Sequence, residues 1–390
     1  MKYINTRWLG SSGGSEGRNG ELDKELLKRL AFDMGVNTTD RSNNMRPTLV
    51  ISYDDSVQED YTLAFPVHEK HGVPGEINAI SSFMLGTGSY LPDDGTQQPL
   101  TQNQALEMQE KGWEFCVHGR QHLTIGRYNL RLVSPQGSNR LYISPDYMHR
   151  WTHTFPQEIT LGRNHAPNIT EDNVLIGHGS DENGEYLETE NPIKTDQYTF
   201  LRLSDNQIED EIKGCIDELA EMGLYAKHHA APYSASNWTA RRIIRKYLLS
   251  ARRGRGSTGS PIMIPGSDNV FPTYKLNCFV ELTGHTEAEL DAWLDEISSV
   301  NGMSIMMEHT WRPGFNPDGL DYIIAGALAR GMDVTTRTEA LKRYGNLLDL
   351  GDPFAGEEDN ESDQPYFVVD RAGKVFENIN DLSDLLDMPH

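Results

Sequence analysis

The chain has 390 residues, enough for one large or two ordinary domains with a substantial buried core. Its 35 basic against 58 acidic residues give a formal net charge of −23, which argues against nucleic acid as a partner because a polyanion is repelled by such a surface. Only 12 of the basic residues are lysines, and an acidic, lysine-poor surface is the kind that proteins of high-salt organisms carry, where screening removes the self-repulsion. Hydrophobic residues at 37% and aromatics at 9% exclude wholesale disorder. Cys116, Cys215 and Cys278 are far apart and lack a CxxC spacing, so they read as buried thiols. No stretch approaches the ~18 apolar residues of a membrane span, and the amino terminus has no apolar h-region, so neither a span nor an export signal is expected.

In chain order, residues 1–46 read as a flexible Gly/Ser/Asn leader followed by an amphipathic helix with Leu22, Leu26, Leu27, Leu30 and Met34 on one face. From residue 47 to 345 short apolar strands alternate with helices. "PTLVISYDD" is a strand, "EDYTLAFPVHEKHGV" a helix, "EINAISSFML" a strand, "TQNQALEMQEKG" a Thr-capped helix and "WEFCVHG" a strand. Such a rhythm implies βα units around a parallel sheet or barrel, and near-continuous apolar strands imply burial on both faces. It breaks over residues 126–196, rich in Tyr, Asn, Gly and Pro, which read as a β-rich insertion. It resumes with a helix capped at Ser204, then "AKHHAAPYS", a helix from "NWTARRIIRKYLL", "TEAELDAWLDEISSV", "MSIMMEHTW" and "GLDYIIAGALARGMDVTT". Residues 346–390 read as an acidic linker, then a small unit with a hairpin turning at Arg371 to Gly373 and one short helix.

Three strand ends carry acid, base or metal-ligating side chains: Asp54 and Asp55, then His118 and His122 in "VHGRQH", then His309 in "MMEHTW". In α/β folds functional groups gather at such ends. One Asp and two His with an open position suit a catalytic Zn²⁺, a spare carboxylate suits a general base, and a separate His suits a general acid. Taken singly, the Asp pair equally fits a helix cap and His118 a hydrogen-bonded core residue. A second HxxxH, His149 and His153 in "HRWTH", lies inside the insertion and is set aside as incidental.

The order of these segments, "LVISYDDS", "WEFCVHGRQH", "APY" and "MMEHT", resembles the polysaccharide deacetylases, the NodB-like carbohydrate esterases of family 4. Their motifs run Thr-Phe-Asp-Asp-Gly, His-Ser/Thr-x-x-His, Arg-Pro-Pro-Tyr and a late Leu-x-His. The resemblance covers about residues 47 to 343 without the insertion. It implies an α/β fold, a distorted (β/α)7-type barrel, and metal-assisted hydrolysis of an N-acetyl group on a glycan. On this chain it makes Asp54 the catalytic base, Asp55, His118 and His122 the ligands of Zn²⁺ or another divalent metal, and His309 the general acid. Pro232 and Tyr233 would line the site, with the Tyr233 N–H assisting the oxyanion. Ser52, Tyr53 and Ser56 replace the Thr, Phe and Gly of the first motif. The family arginine that orients the base falls near Ala230, so His228 or His229 is the expected substitute, and the Asp-Trp stretch usual between Tyr233 and His309 has no clear counterpart.

A glycan-modifying enzyme without an export signal is expected to leave the cell another way. A virion tail or head-decoration protein of a virus with a salt-loving host, using its terminal extensions for attachment or homo-oligomer contacts, meets that requirement. A cytosolic small-amide hydrolase and a catalytically silent glycan-binding virion protein are the alternatives.

Overall fold

The computed structural model describes residues 46–343, apart from 89–94, 132–135, 165, 254–260, 264–273 and 275, together with the backbone of two strands near the carboxy terminus. The expected leader helix, the acidic linker and the terminal short helix lie outside the described residues. β1 (Thr48–Asp54) is buried along its whole length. Leu49, Ile51 and Tyr53 join the core packed under the helices, while Val50 packs with Met303, Ile305 and Met307 on the other face. A strand covered on both sides is what a continuous apolar run produces.

The first βα units follow. The chain passes through a π-helical turn (Asp60–Ala64) into α1 (Phe65–His71), which ends at Gly72 in the left-handed region. β2 (Glu76–Ala79) is shorter than its apolar run, because Ser81–Leu85 folds as α2 and only Glu76–Ala79 pairs as a strand. The expectation of a strand through "EINAISSFML" is thus corrected: Gly86 closes a helical turn there, and the Ser81 hydroxyl donates to Glu218. α3 (Gln102–Glu110) starts at a reciprocal capping box between Thr101 and Gln104, then comes β3 (Glu114–Val117).

Between β3 and the next helix the chain builds β4 (Arg127–Asn129), β5 (Arg140–Leu141), α4 (Pro145–Met148), β6 (Gln157–Arg163), β7 (Ala166–Asp181), β8 (Gly184–Thr189) and β9 (Phe200–Leu203). These strands form one antiparallel sheet in the order β4-β9-β6-β7-β8-β5. Trp151, Ile159, Leu161 and Leu201 belong to the same contiguous core as the barrel.

The chain re-enters the barrel through α5 (Asp205–Glu209), capped by the Ser204 hydroxyl, a second π-helical turn (Asp210–Gly214) and α6 (Cys215–Glu221). There follow β10 (Ala226–Ala230), α7 (Trp238–Tyr247), β11 (Ser250–Arg252), β12 (Ile262–Met263), β13 (Phe279–Val280), α8 (Glu287–Ser299), β14 (Met303–Glu308), α9 (Pro317–Ala329), β15 (Asp333–Val334) and α10 (Arg337–Arg343). Strands β11-β10-β3-β2-β1-β14 are all parallel neighbours. β13 pairs parallel with β14, and Leu276 just before it bridges Arg252 of β11 in parallel. The sheet therefore closes on itself as a distorted (β/α)7-type barrel. The carboxy-terminal strands β16 (Tyr366–Val369) and β17 (Val375–Ile379) pair antiparallel. All three cysteines are buried free thiols, and no described helix is long and apolar enough to cross a membrane.

The barrel interior is polar on one side. Ser52 Oγ donates to Glu76 Oε1 at 2.8 Å, and the fully buried Arg337 pairs with the same carboxylate and donates to the His229 carbonyl at 2.9 Å. Removing one partner of a buried pair strands the other charge. Arg337→Met is therefore expected to lower unfolding stability by about 3–5 kcal/mol, with Glu76→Gln in the same chain restoring much of it. Urea titration followed by circular dichroism checks both, and equal stability of the single and double variants would contradict the pairing.

Candidate functional site

Among the described residues, seven non-glycine residues adopt the left-handed backbone, and six of them stand on loops at one end of the barrel: Asp55, Ser56, His122, Tyr233, Ser234 and Glu281. Such conformations cost free energy and persist only where the surroundings over-determine them. Those surroundings are visible. The Ser56 hydroxyl accepts from the Ile80 N–H and donates to the Asp55 carbonyl. Asp60, on the first π turn, accepts from Val57 N–H and from the Thr310 hydroxyl, tying the loop after β1 to the loop after β14. Glu211, on the second π turn, accepts the N–H groups of Gln121 and Leu123 on either side of His122. Both π turns thus present a buried carboxylate to the loops of this end, a recurrent use of such turns.

Asp55, His118 and His122 converge. His118 Nε2 and His122 Nε2 are 3.3 Å apart, and Asp55 Oδ1 lies 3.7 Å from the first and 3.5 Å from the second. Donors around a tetrahedral Zn²⁺ with bonds of about 2.0–2.2 Å stand roughly 3.3–3.6 Å apart, so the set fits a divalent metal with one position left open. The chemistry of the donors agrees. His118 Nδ1 donates to the Ala230 carbonyl at 2.9 Å, which leaves Nε2 with its lone pair facing the other two. Asp55 Oδ2 accepts from Trp311 Nε1 at 2.9 Å, while Oδ1 is buried with no hydrogen-bond partner among the described residues. Burial first, then the neighbouring His118, hold His122 well below the ordinary imidazole range, in the neutral form that ligation needs.

Asp54 turns into the barrel instead. Its Oδ1 accepts from Asn78 Nδ2 at 2.7 Å and pairs with the buried Arg252 guanidinium, while Oδ2 stands 3.8 Å from His118 Nε2. Burial pushes this carboxyl up, but Arg252, with His118 and His309, outweighs it and leaves Asp54 below the usual carboxylate range. The expectation that His228 or His229 orients Asp54 is corrected here. His228 bonds Ser250 and Thr338 deeper in the barrel, and His229 lies in register with Val117 and Ala251 on the outward face. The orienting cation is Arg252, and in the β10–β11 register its partner is Ala230. The guanidinium is thus supplied from one strand further along, at the same level.

His309 Nδ1 meets Glu281 Oε1 at 2.9 Å, and its Nε2 faces Asp55 Oδ2 at 3.9 Å. Burial works against the charged imidazolium, yet Glu281, Asp55 and Asp54 together raise it above the ordinary value. Trp311, two residues on, lies edge-on to the His309 ring at 5.5 Å. Pro232 and Tyr233 form the loop after β10, and the Tyr233 ring is 4.6 Å from that of His122. His149 and His153, set aside from sequence, are also at the site. Their rings lie 5.7 and 6.3 Å from that of Tyr233, and His153 is 6.5 Å from His122. Sequence reasoning missed Arg252, Asn78, Glu281 and Trp311. The available signals were an arginine in the short run "LLSARRG" and the "HTW" context of His309.

One parallel barrel end therefore holds a triad whose donors could take a metal, a carboxylate held below its ordinary range beside it and an imidazole raised above its ordinary value across from it. No family model matches the chain, and no curated protein matches its sequence. Solved structures that are similar include a family 4 acetyl xylan esterase from Clostridium thermocellum in complex with a cobalt ion. It is 13% identical, over 75% of this chain and 90% of that one, at a TM-score of 0.38. A family 4 carbohydrate esterase domain of a multidomain xylanase from the hindgut metagenome of Trinervitermes trinervoides is 12% identical over 77% and 92%, at 0.39. A pseudoenzyme of that esterase family from Bacillus anthracis is 9% identical over 77% and 66%, at 0.38.

The triad predicts one divalent ion per chain. Calorimetric titration with Zn²⁺ is expected to show no binding for Asp55→Ala, and binding weakened about 10- to 100-fold for Glu211→Ala, which releases the loop of His122 without touching a ligand. Unchanged affinity in Asp55→Ala would refute the site.

Proposed function

We propose that this chain is a metal-dependent hydrolase that removes N-acetyl groups from a polysaccharide. The observation that carries the reading is the division of labour between two adjacent aspartates. Asp55 joins two histidines in a donor set of tetrahedral spacing, and Asp54, locked by Arg252 and Asn78, keeps one oxygen facing that set.

A divalent ion held by Asp55, His118 and His122 would polarise the acetyl carbonyl and acidify a water. Asp54 accepts the proton of the attacking water at Oδ2, because Oδ1 is occupied by its two donors. Arg252 thus sets geometry and charge at some cost in basicity, since a carboxylate paired with a guanidinium is a weaker base. His309, whose imidazolium Glu281 favours through Nδ1, donates its Nε2 proton to the departing amine. The C–N bond breaks, acetate and a free amine form, and the two transferred protons come from water and His309. The Tyr233 backbone N–H, on its left-handed turn, is the proposed oxyanion donor. Tyr233 and Trp311 flank the triad as aromatic faces on which a sugar ring can lie.

Acetate release from N-acetylglucosamine oligomers with added Zn²⁺ in high salt tests the reading. Wild-type protein is expected to release acetate, Asp54→Ala to lose about 10²- to 10⁴-fold in rate, and Arg252→Ala to lose at least tenfold. No release with one ion still bound per chain would replace the reading with glycan recognition. Turnover confined to formamide-like substrates would replace it with a small-amide hydrolase.

A further inference from the structure

The inserted sheet does more than decorate the barrel. The segment after α4 brings His149, Arg150 and His153 against Tyr233, so an element outside the βα rhythm forms one wall of the mouth. Arg150 is the unusual member. Its guanidinium lies over three tyrosine rings, with Cζ 4.8 Å from the centroid of Tyr147, 5.5 Å from Tyr233 and 5.8 Å from Tyr128. Its Nη1 donates to the Tyr128 hydroxyl at 3.1 Å, the one side-chain hydrogen bond that Arg150 makes among the described residues. Its Nε is buried and without an acceptor among the described residues.

In a chain of net charge −23 a cation at such a position would be expected to attract a carboxylate. The arginines nearby do so: Arg120 pairs with Glu218, Arg252 with Asp54 and Arg312 with Glu281. Among the described residues Arg150 has no ion-pair partner. A guanidinium held by aromatic rings, with most of its donors unused, is preorganised for a planar oxyanion. It stands one ring beyond Tyr233, beside the reaction centre and outside it.

We infer that Arg150 is a specificity-determining residue that reads an oxyanion, such as a uronate carboxylate or a sulfate, on the sugar next to the acetylated one, so that the preferred substrate is an acidic glycan. The inference deepens the deacetylase reading and rests on it. Long-range repulsion by the acidic surface is screened beyond about 8 Å at physiological ionic strength, which leaves the local cation to decide.

The test measures affinity and acetate release with Zn²⁺-loaded full-length protein on three oligomers of equal length: neutral N-acetylglucosamine, an alternating N-acetylhexosamine–uronate, and a sulfated N-acetylglucosamine. Wild-type protein is expected to favour at least one anionic oligomer about ten- to hundredfold, the range of a charge-assisted hydrogen-bonded pair. Arg150→Ala is expected to collapse that preference to near unity, and Arg150→Lys to keep part of it. The uronate and sulfate arms show which oxyanion is read. No preference in the wild type, or an equal loss on neutral and anionic oligomers in Arg150→Ala, would overturn the inference, the second outcome showing a merely structural side chain. Anionic binding that depends on Arg150 without acetate release would retain the subsite and overturn the deacetylase reading. Release that ignores Arg150 would do the reverse.

Discussion

Asp54 is a carboxylate held below its ordinary range while buried inside a closed barrel, and much of the interior is arranged around that charge. An isolated buried carboxylate would neutralise itself or unfold its surroundings. Here Arg252 faces it, Asn78 bonds it, and Asn78 also reaches Ser52, which bonds Glu76, which pairs with Arg337. Two guanidinium groups thus balance two carboxylates along one connected path. Such a network is worth most when every member is satisfied. It also explains why an otherwise apolar strand such as β1 carries Ser52 between Val50 and Asp54 on its inward face.

The cluster of Asp55, His118 and His122 with its neighbour Tyr233 depends on the opposite kind of constraint, a backbone held where it would not settle alone. Asp55, His122 and Tyr233 reach their positions through left-handed residues that carry side chains. Buried acceptors supply the restoring force. Glu211 is raised to about 7 chiefly by burial, against the pull of the two N–H groups it accepts, and Glu308 is raised to about 8 by burial while accepting the Leu282 N–H beside Glu281. The rigid barrel tolerates strain in the loops of Asp55, His122 and Glu281 because each is tied by a carboxylate, Asp60, Glu211 and Glu308 respectively.

What could be read from sequence was what is local. The alternation of apolar strands with capped helices gave βα units around a parallel sheet or barrel, the family resemblance chose the barrel, and Asp54, Asp55, His118, His122 and His309 each sit at or just beyond a strand end that the pattern locates. The rest depends on register. Arg252 reaches Asp54 because β11 lies beside β10 with Ala230 opposite, and no one-dimensional spacing carries that adjacency. Glu281 likewise meets His309 only because β13 pairs with β14. His149 and His153 had the right spacing but stood in a segment whose placement over the mouth is a tertiary fact. The "EINAISSFML" run misled because a buried helical turn and a buried strand share an apolar composition.

The barrel closes next to Arg252. Six residue pairs join β1 to β14, whereas between β11 and the strand before β14 the described pairing is a single bridge, with Leu276 donating to Ala251 and accepting from Arg253. The residue that steadies Asp54 therefore sits at this join. Whatever ligand fixes Asp54 and Arg252 together also fastens that join, so occupancy of the mouth and integrity of the barrel are thermodynamically linked. The Arg253 and Leu276 amides, which lie on the join and away from the reacting atoms, thus become reporters of ligation through their exchange with solvent hydrogen.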